Sequence, residues 1–256
     1  MGRIIAVTGK GGAGKTTVAA LMVRVLVEAD RGAVLAVDAD PNLNLNAALG
    51  VEVEETVGDL REEGLDRAAS LPGGMAKSEF LRLRLQQALV ESPGFDLLAM
   101  GRPEGPGCYC FANSILRACV DQIGKQYPYI VIDCEAGLEH LSRRTAGDVD
   151  LLLMLADPSI RSLDTAARVL ALVRELHTKV ARTAFAFTRV ADGLPPELVA
   201  AARERGLPEP AAIPEDPEVR LRDLQGEPLV GVGEKSPALA AVRDLLRSAG
   251  LLSDGS

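Results

Sequence analysis

Long apolar runs are missing from this chain. No stretch of its 256 residues approaches the ~18 uninterrupted apolar residues of a membrane span, although 47% of the residues are hydrophobic and the mean hydropathy is +0.13. A membrane partner is therefore not expected, and there is ample material for a sizeable core. A signal-peptide pattern is missing as well: Met1 to Val7 runs straight into a motif, which points to a cytoplasmic location. Basic stripes are absent, and the formal charge of −8 opposes binding to a phosphate backbone, so no nucleic acid is expected as a partner. Cysteine is scarce. The four thiols, Cys108, Cys110, Cys119 and Cys134, are too few for a disulfide scaffold and read as buried fillers or metal ligands. There is no internal repeat and no low-complexity tract. The Gly- and Pro-dense segments Gly101 to Gly107 and Leu207 to Pro217 each follow a strand, which makes them site loops rather than linkers and predicts one domain over 1–256.

What is present is a rhythm of short apolar runs and longer helix-like segments. Ile4 to Val7, Val34 to Val37, Leu97 to Met100, Ile130 to Ile132, Leu151 to Leu155 and Thr183 to Phe187 read as buried strands. Thr16 to Glu28, Ser78 to Val90, Ala112 to Lys125, Ser159 to Leu176, Pro195 to Arg205 and Pro237 to Ser248 read as helices, several opened by Ser or Pro. The alternation predicts an α/β fold with a doubly wound, mostly parallel sheet and helices on both faces. The last helix gathers Leu239, Val242, Leu245 and Leu246 on one side with only Arg243 and Arg247 as cations, the pattern of core packing rather than of a membrane surface.

After the first strand comes Gly9-Lys10-Gly11-Gly12-Ala13-Gly14-Lys15-Thr16-Thr17, which satisfies G-x-x-x-x-G-K-[ST] and opens directly into a helical run. Glycines let such a loop turn its amides around phosphate oxygens, the helix N-terminus adds partial positive charge, and Lys15 adds a mobile full charge. ATP or ADP is the expected ligand, with Thr16 on Mg²⁺. Lys10 has no part in cradling the phosphates of its own chain. It resembles the signature lysine of the deviant Walker-A family, which includes the Min division-site ATPase, the ParA partition ATPases, the nitrogenase iron protein and the arsenite and tail-anchor ATPases. The resemblance implies a homodimer in which this lysine reaches the partner's phosphates, as an arginine finger does in other NTPases.

Two strands end in acids. Val34 to Val37 delivers Asp38-Ala39-Asp40-Pro41-Asn42, and Asp40 is the candidate for placing the attacking water and accepting its proton, while Asp38 is the alternative holder of a magnesium-bound water. Tyr129 to Asp133 has the Walker-B pattern and continues as Cys134-Glu135-Ala136-Gly137, which is similar to the family's switch II, where the Gly137 amide would sense the γ-phosphate. Relatives hold adenine at the places occupied here by Thr188-Arg189 and by Ile213-Pro214, with Thr188 standing where the usual residue is Asn.

Cys108-Tyr109-Cys110 closes a Gly-Pro loop. Two thiolates leave a soft metal half coordinated, and a two-fold dimer would supply the other two. With Gly74-Met75, Gly94 to Leu98, Gly101 to Cys110 and Asp133 to His140, the chain resembles the CooC-type nickel-insertion ATPases. That resemblance implies Ni²⁺ or Zn²⁺ at Cys108 and Cys110 and the carbon monoxide dehydrogenase apo-enzyme as client. Two rivals stand beside it: a nitrogenase iron protein-like electron carrier, for which Cys134 is suggestively placed, and a spatial organiser of the Min or ParA kind.

Overall fold

The computed structural model describes residues 2–30, 32–59, 83, 84, 86–102, 123–134, 149–175 and 179–252. In chain order the strands and main helices are β1 (Arg3–Gly9), α1 (Lys15–Glu28), β2 (Val34–Asp38), α2 (Leu45–Leu49), β3 (Val90–Ser92), β4 (Phe95–Ala99), β5 (Tyr129–Asp133), β6 (Val149–Ala156), α3 (Ile160–Glu175), β7 (Val180–Val190), α4 (Pro196–Glu204), β8 (Pro210–Pro214), α5 (Pro217–Gln225) and α6 (Pro237–Ser248). Among the described residues the strands make one sheet in the order β3-β4-β2-β5-β1-β6-β7-β8, parallel throughout except for the β3–β4 pair.

Because side chains alternate along a strand, β1 feeds two cores at once. Ile4 and Ala6 pack with α3 and α4 on one face, and Ile5 and Val7 pack with α1, α2 and α6 on the other. The predicted doubly wound sheet is what the chain builds. α6 buries Leu239, Val242, Leu245 and Leu246, as its spacing predicts.

The order of the strands positions the site. β5 inserts between β1 and β2, and its register aligns Asp133 with Val7 on one side and with Asp38 on the other. Three strand ends therefore finish at one level, at the carboxyl edge where α/β sheets carry their ligands. Cys134 N donates to the Val7 carbonyl at 3.0 Å and Ala39 N to the Asp133 carbonyl at 3.0 Å, tying the three exits together.

Two elements differ from expectation. Val90, read as the end of a helix, begins the antiparallel edge strand β3, and Pro217–Gln225, for most of which the sequence predicts no element, is helix α5. Neither has an apolar face to announce it: β3 is three residues long and α5 buries no residue.

Candidate functional site

α1 begins without a lid on its positive end. Gly14 is its N-cap in the left-handed conformation at φ 76°, no side chain caps the helix, and no acid lies in the first turn. The unpaired amides and the helix dipole are thereby left for an external anion. Gly12 also has φ 76°, and Ala13 N closes the loop onto the Lys10 carbonyl at 3.1 Å. At the loop entrance, Gly9 is required by contact: a Cβ there would lie 2.3 Å from the Leu155 carbonyl oxygen of β6. The predicted loop residues Gly11, Gly12, Ala13, Gly14, Lys15, Thr16 and Thr17 thus sit together over the end of β1.

Thr16 Oγ1 donates to Asp133 Oδ2 at 2.6 Å, and Asp133 Oδ1 is buried with no hydrogen-bond partner among the described residues. A hydroxyl and an orphaned carboxylate oxygen are hard donors of the kind Mg²⁺ takes beside a nucleotide, so the residues present fit that ion. Burial pushes the Asp133 carboxyl up to about 7, with the nearby charges of Asp38 and Asp40 adding to the effect and the Thr16 hydroxyl and Lys15 charge opposing it. When bound, the cation would neutralise charge on the phosphates and on this carboxylate.

Asp38 and Asp40 separate in the structure. Asp38 is fully buried and accepts three backbone amides, from Asp40 at 3.0 Å, Asn44 at 3.0 Å and Leu45 at 2.9 Å, so it shapes the turn and starts α2. Burial nonetheless raises its carboxyl above the ordinary range. Asp40 lies further out, its Oδ1 holding the Asn42 backbone and side-chain amides at 2.8 and 2.9 Å. Of the two carboxylates, Asp40 is the one left partly exposed.

On the far side of Gly14 a cavity of about 290 Å³ opens between α1, the ends of β7 and β8, and α5. Val18, Leu21, Ile213, Pro214 and Val219 give it apolar walls suited to a planar base. Thr188 and Arg189 line it too, but their polar groups face elsewhere: Thr188 Oγ1 donates to the Ala13 carbonyl at 3.0 Å, and Arg189 Nη2 donates to the Gly12 carbonyl at 2.6 Å. Asp216 also borders the cavity, buried and capping α5 through the amides of Glu218 and Val219, while accepting from Ser236 and Ala238 at the start of α6.

Lys10 reaches away from its own loop. Its Nζ lies 3.9 Å from Asp157 Oδ2, just past the end of β6, and Asp157 is itself held by the hydroxyls of Ser159 and Ser162. Sequence reasoning missed Asp157. The signal that found Asp38 and Asp133, an acid directly after an apolar strand, was there to find it after Val149–Ala156.

Gly137, Cys108, Cys110, Cys119 and His140 lie outside the described residues. Among the described residues, no group of three or more His, Cys, Asp or Glu side chains could hold a metal ion. Cys134 is buried, and that burial, with the Asp133 charge beside it, pushes its thiol far above the ordinary range.

A family model described as an AAA domain matches residues 2–186. The uncharacterized ATP-binding protein MJ0685 of Methanocaldococcus jannaschii is 43% identical over 244 residues, 94% of this chain and 96% of that protein. The carbon monoxide dehydrogenase accessory protein CooC of Rhodospirillum rubrum is 38% identical over 187 residues, 68% of this chain and 70% of that protein. Among solved structures, the cell division ATPase MinD of Pyrococcus furiosus superposes with a TM-score of 0.72 at 26% identity, covering 99% of this chain and 100% of that one.

The partner expectations need correction. A ParA family ATPase from Chlorobium tepidum TLS shares the fold with a TM-score of 0.71 at 22% identity, and a putative plasmid partition protein from Borrelia burgdorferi B31 shares it with a TM-score of 0.65 at 14% identity, so the expectation that nucleic acid is no partner is withdrawn. A net charge of −8 is a sum over the whole chain and does not describe any one face of it. The carbon monoxide dehydrogenase client is likewise set aside, since a match over 68% of the chain carries the ATPase scaffold and does not identify a docking partner. No helix among the described residues is long and apolar enough to cross a membrane. The chain belongs to the deviant Walker-A P-loop ATPases of the MinD/ParA superfamily, and it binds and hydrolyses ATP.

Proposed function

We propose that the chain is a nucleotide-gated switch of the MinD/ParA kind: ATP closes two copies face to face, the closed pair engages a client surface, and hydrolysis opens it. Lys10 carries this reading. The loop's own phosphate contacts are supplied by Lys15, Thr16 and the α1 N-terminus, while Lys10 points outward, held only by a partly exposed ion pair to Asp157. A cation in that position has work to do on a second molecule. In this reading 1–256 is one cytoplasmic ATPase unit, Lys15 neutralises the phosphates, Thr16 and Asp133 hold Mg²⁺, and Asp40 places the water. Light scattering after gel filtration tests it: wild type is expected to shift from monomer to dimer with ATP and not with ADP, and Lys10→Ala to stay monomeric while still binding ADP. A Lys10→Ala protein that dimerises and turns over like wild type sinks the proposal. ATP-dependent pelleting with DNA or with anionic liposomes then identifies the kind of surface engaged.

A second reading has its own support in the 38% identity to the CooC accessory protein and in the Cys108-x-Cys110 spacing. Here the closed pair also holds one Ni²⁺ or Zn²⁺ between its four thiolates, as cargo. Metal titration of wild type and of the Cys108→Ser/Cys110→Ser double mutant tests it. The expected stoichiometry is one ion per dimer, lost in the double mutant with ATP binding intact.

A further inference from the structure

A phosphate loop that turns amides inward turns carbonyls outward, and an outward carbonyl packed against protein needs a donor. The end of β7 supplies two in succession. Thr188 is 2% exposed, and its hydroxyl lies 3.0 Å from the Ala13 carbonyl and 3.3 Å from the Ala156 carbonyl, so one proton is shared between the loop and β6. Arg189 donates to the Gly12 carbonyl at 2.6 Å. Consecutive strand residues ordinarily face opposite ways. Here the β7–β8 register shifts between Thr188 and Val190, and Arg189 takes φ 55°, a left-handed conformation uncommon outside glycine. The kink lets neighbouring side chains reach neighbouring carbonyls.

We propose that Thr188 and Arg189 are positioning residues that hold the empty phosphate loop in its anion-binding shape, and that affinity for nucleotide is borne by the phosphates rather than by side-chain contacts to the base. The inference rests on the reading of Gly9 to Thr16 as the phosphate site. Two features of the base cavity agree with it. The Thr188 hydroxyl is committed to the loop, and Asp216, the buried acid at the cavity margin, is committed to the first turns of α5 and α6. Gly14, the N-cap of α1, faces Thr188 closely enough that an added Cβ would lie 3.8 Å from its hydroxyl, so the clamp stands beside the residue that starts α1.

Calorimetric titration with magnesium pyrophosphate, which has no base, separates this role from a base contact. Thr188→Val keeps the shape and deletes the donor; it is expected to weaken pyrophosphate and ADP alike, by about fivefold, the worth of one hydrogen bond. Thr188→Ser should restore both. Amide hydrogen exchange of the nucleotide-free protein should quicken over residues 11–17 in Thr188→Val and remain slow in β1 and β6. If ADP weakens while pyrophosphate does not, Thr188 reads the base and the proposal is overturned; no change in either ligand overturns it too. Should Thr188→Val fail to fold, Arg189→Ala decides at an exposed site: pyrophosphate should weaken by a few fold and Arg189→Gln, which keeps a donor without the charge, should recover most of it. Unaltered pyrophosphate binding in Arg189→Ala overturns the clamp. Wild type that binds neither pyrophosphate nor ADP would instead bring down the phosphate-loop reading, a failure distinguishable from that of the clamp.

Discussion

The two ends of the nucleotide cleft treat helix starts in opposite ways. At the phosphate end α1 begins at a glycine, with no capping side chain and no acid in its first turn, so its amides and dipole are free for a ligand. At the base end α5 is capped by Asp216 and α6 by Ser236, and Asp216 reaches across to Ser236 and Ala238 as well. A capped helix has spent its N-terminus on its own chain. The contrast assigns binding energy to the phosphate end and frame-building to the base end.

The severest way to break that division is Lys15→Ala. If the phosphate end carries the affinity, loss of its full charge should weaken ATP and ADP by more than ~10²-fold, as befits a charged hydrogen bond removed from a site built for charge. Fluorescent-nucleotide titration measures it; retention of affinity within tenfold would shift the weight to the base cavity. Asp40→Asn should leave binding nearly unchanged and reduce turnover by ~10²-fold or more, because the amide keeps the shape but takes no proton. A phosphate-release assay on protein saturated with ATP checks this. Normal turnover would move the water-placing role to the buried Asp38, even though three backbone amides already occupy that carboxylate.

Much of the phosphate end was legible in the sequence because its chemistry is tied to spacing. Glycines at fixed offsets, Lys15 and Thr16 at a helix start, and acids directly after apolar strands each imply their geometry. The base end was less legible, for physical reasons. α5 buries nothing, so no apolar period marks it, and β3 is an antiparallel edge of only three residues. The role of Thr188 depends on the left-handed conformation of Arg189, and an arginine at positive φ carries no sequence signal. The partner expectations went astray because net charge is a global sum and a client is chosen by a local face. Cys108 and Cys110, on which the metal reading depends, lie outside the described residues.

The frame-building side is sharpened by Asp216. Burial alone would raise its carboxyl, but the Ser236 hydroxyl and the amides of Ala238, Val219 and Glu218 outweigh burial and hold it below the ordinary carboxylate range. A pKa depressed by folding contributes stability that is present above the unfolded value, near 3.9, and is lost as pH falls through the lower folded value. Asp216→Asn should therefore cost about 2 kcal/mol at neutral pH and progressively less below about pH 4. Thermal melts from pH 3 to 8 read this directly. A deficit that persists undiminished in acid would mean that shape, not charge, is what Asp216 supplies.

The smallest expected effect concerns the ion pair within the chain that holds Lys10, the residue proposed to act on a second copy. Lys10 and Asp157 are 3.9 Å apart with side-chain exposures of 44% and 31%, so their attraction is screened and worth at most about 1 kcal/mol. That is a suitable size for a catch: enough to park the lysine in the monomer, too little to hold it once a partner's phosphates are in reach. Asp157→Asn removes the charge and keeps the hydrogen-bonding outline that Ser159 and Ser162 use. If the pair only parks Lys10, dimerisation with ATP should become tighter by up to about fivefold, the equivalent of about 1 kcal/mol. On the same premise ADP affinity should stay the same, since Lys10 would then do no work on its own loop's phosphates. Sedimentation at several ATP concentrations resolves a shift of that size. A weaker ATP dimer in Asp157→Asn would place Asp157 within the closed interface itself, and the phosphate end would then have to be described as a site completed by acids as well as lysines from both copies.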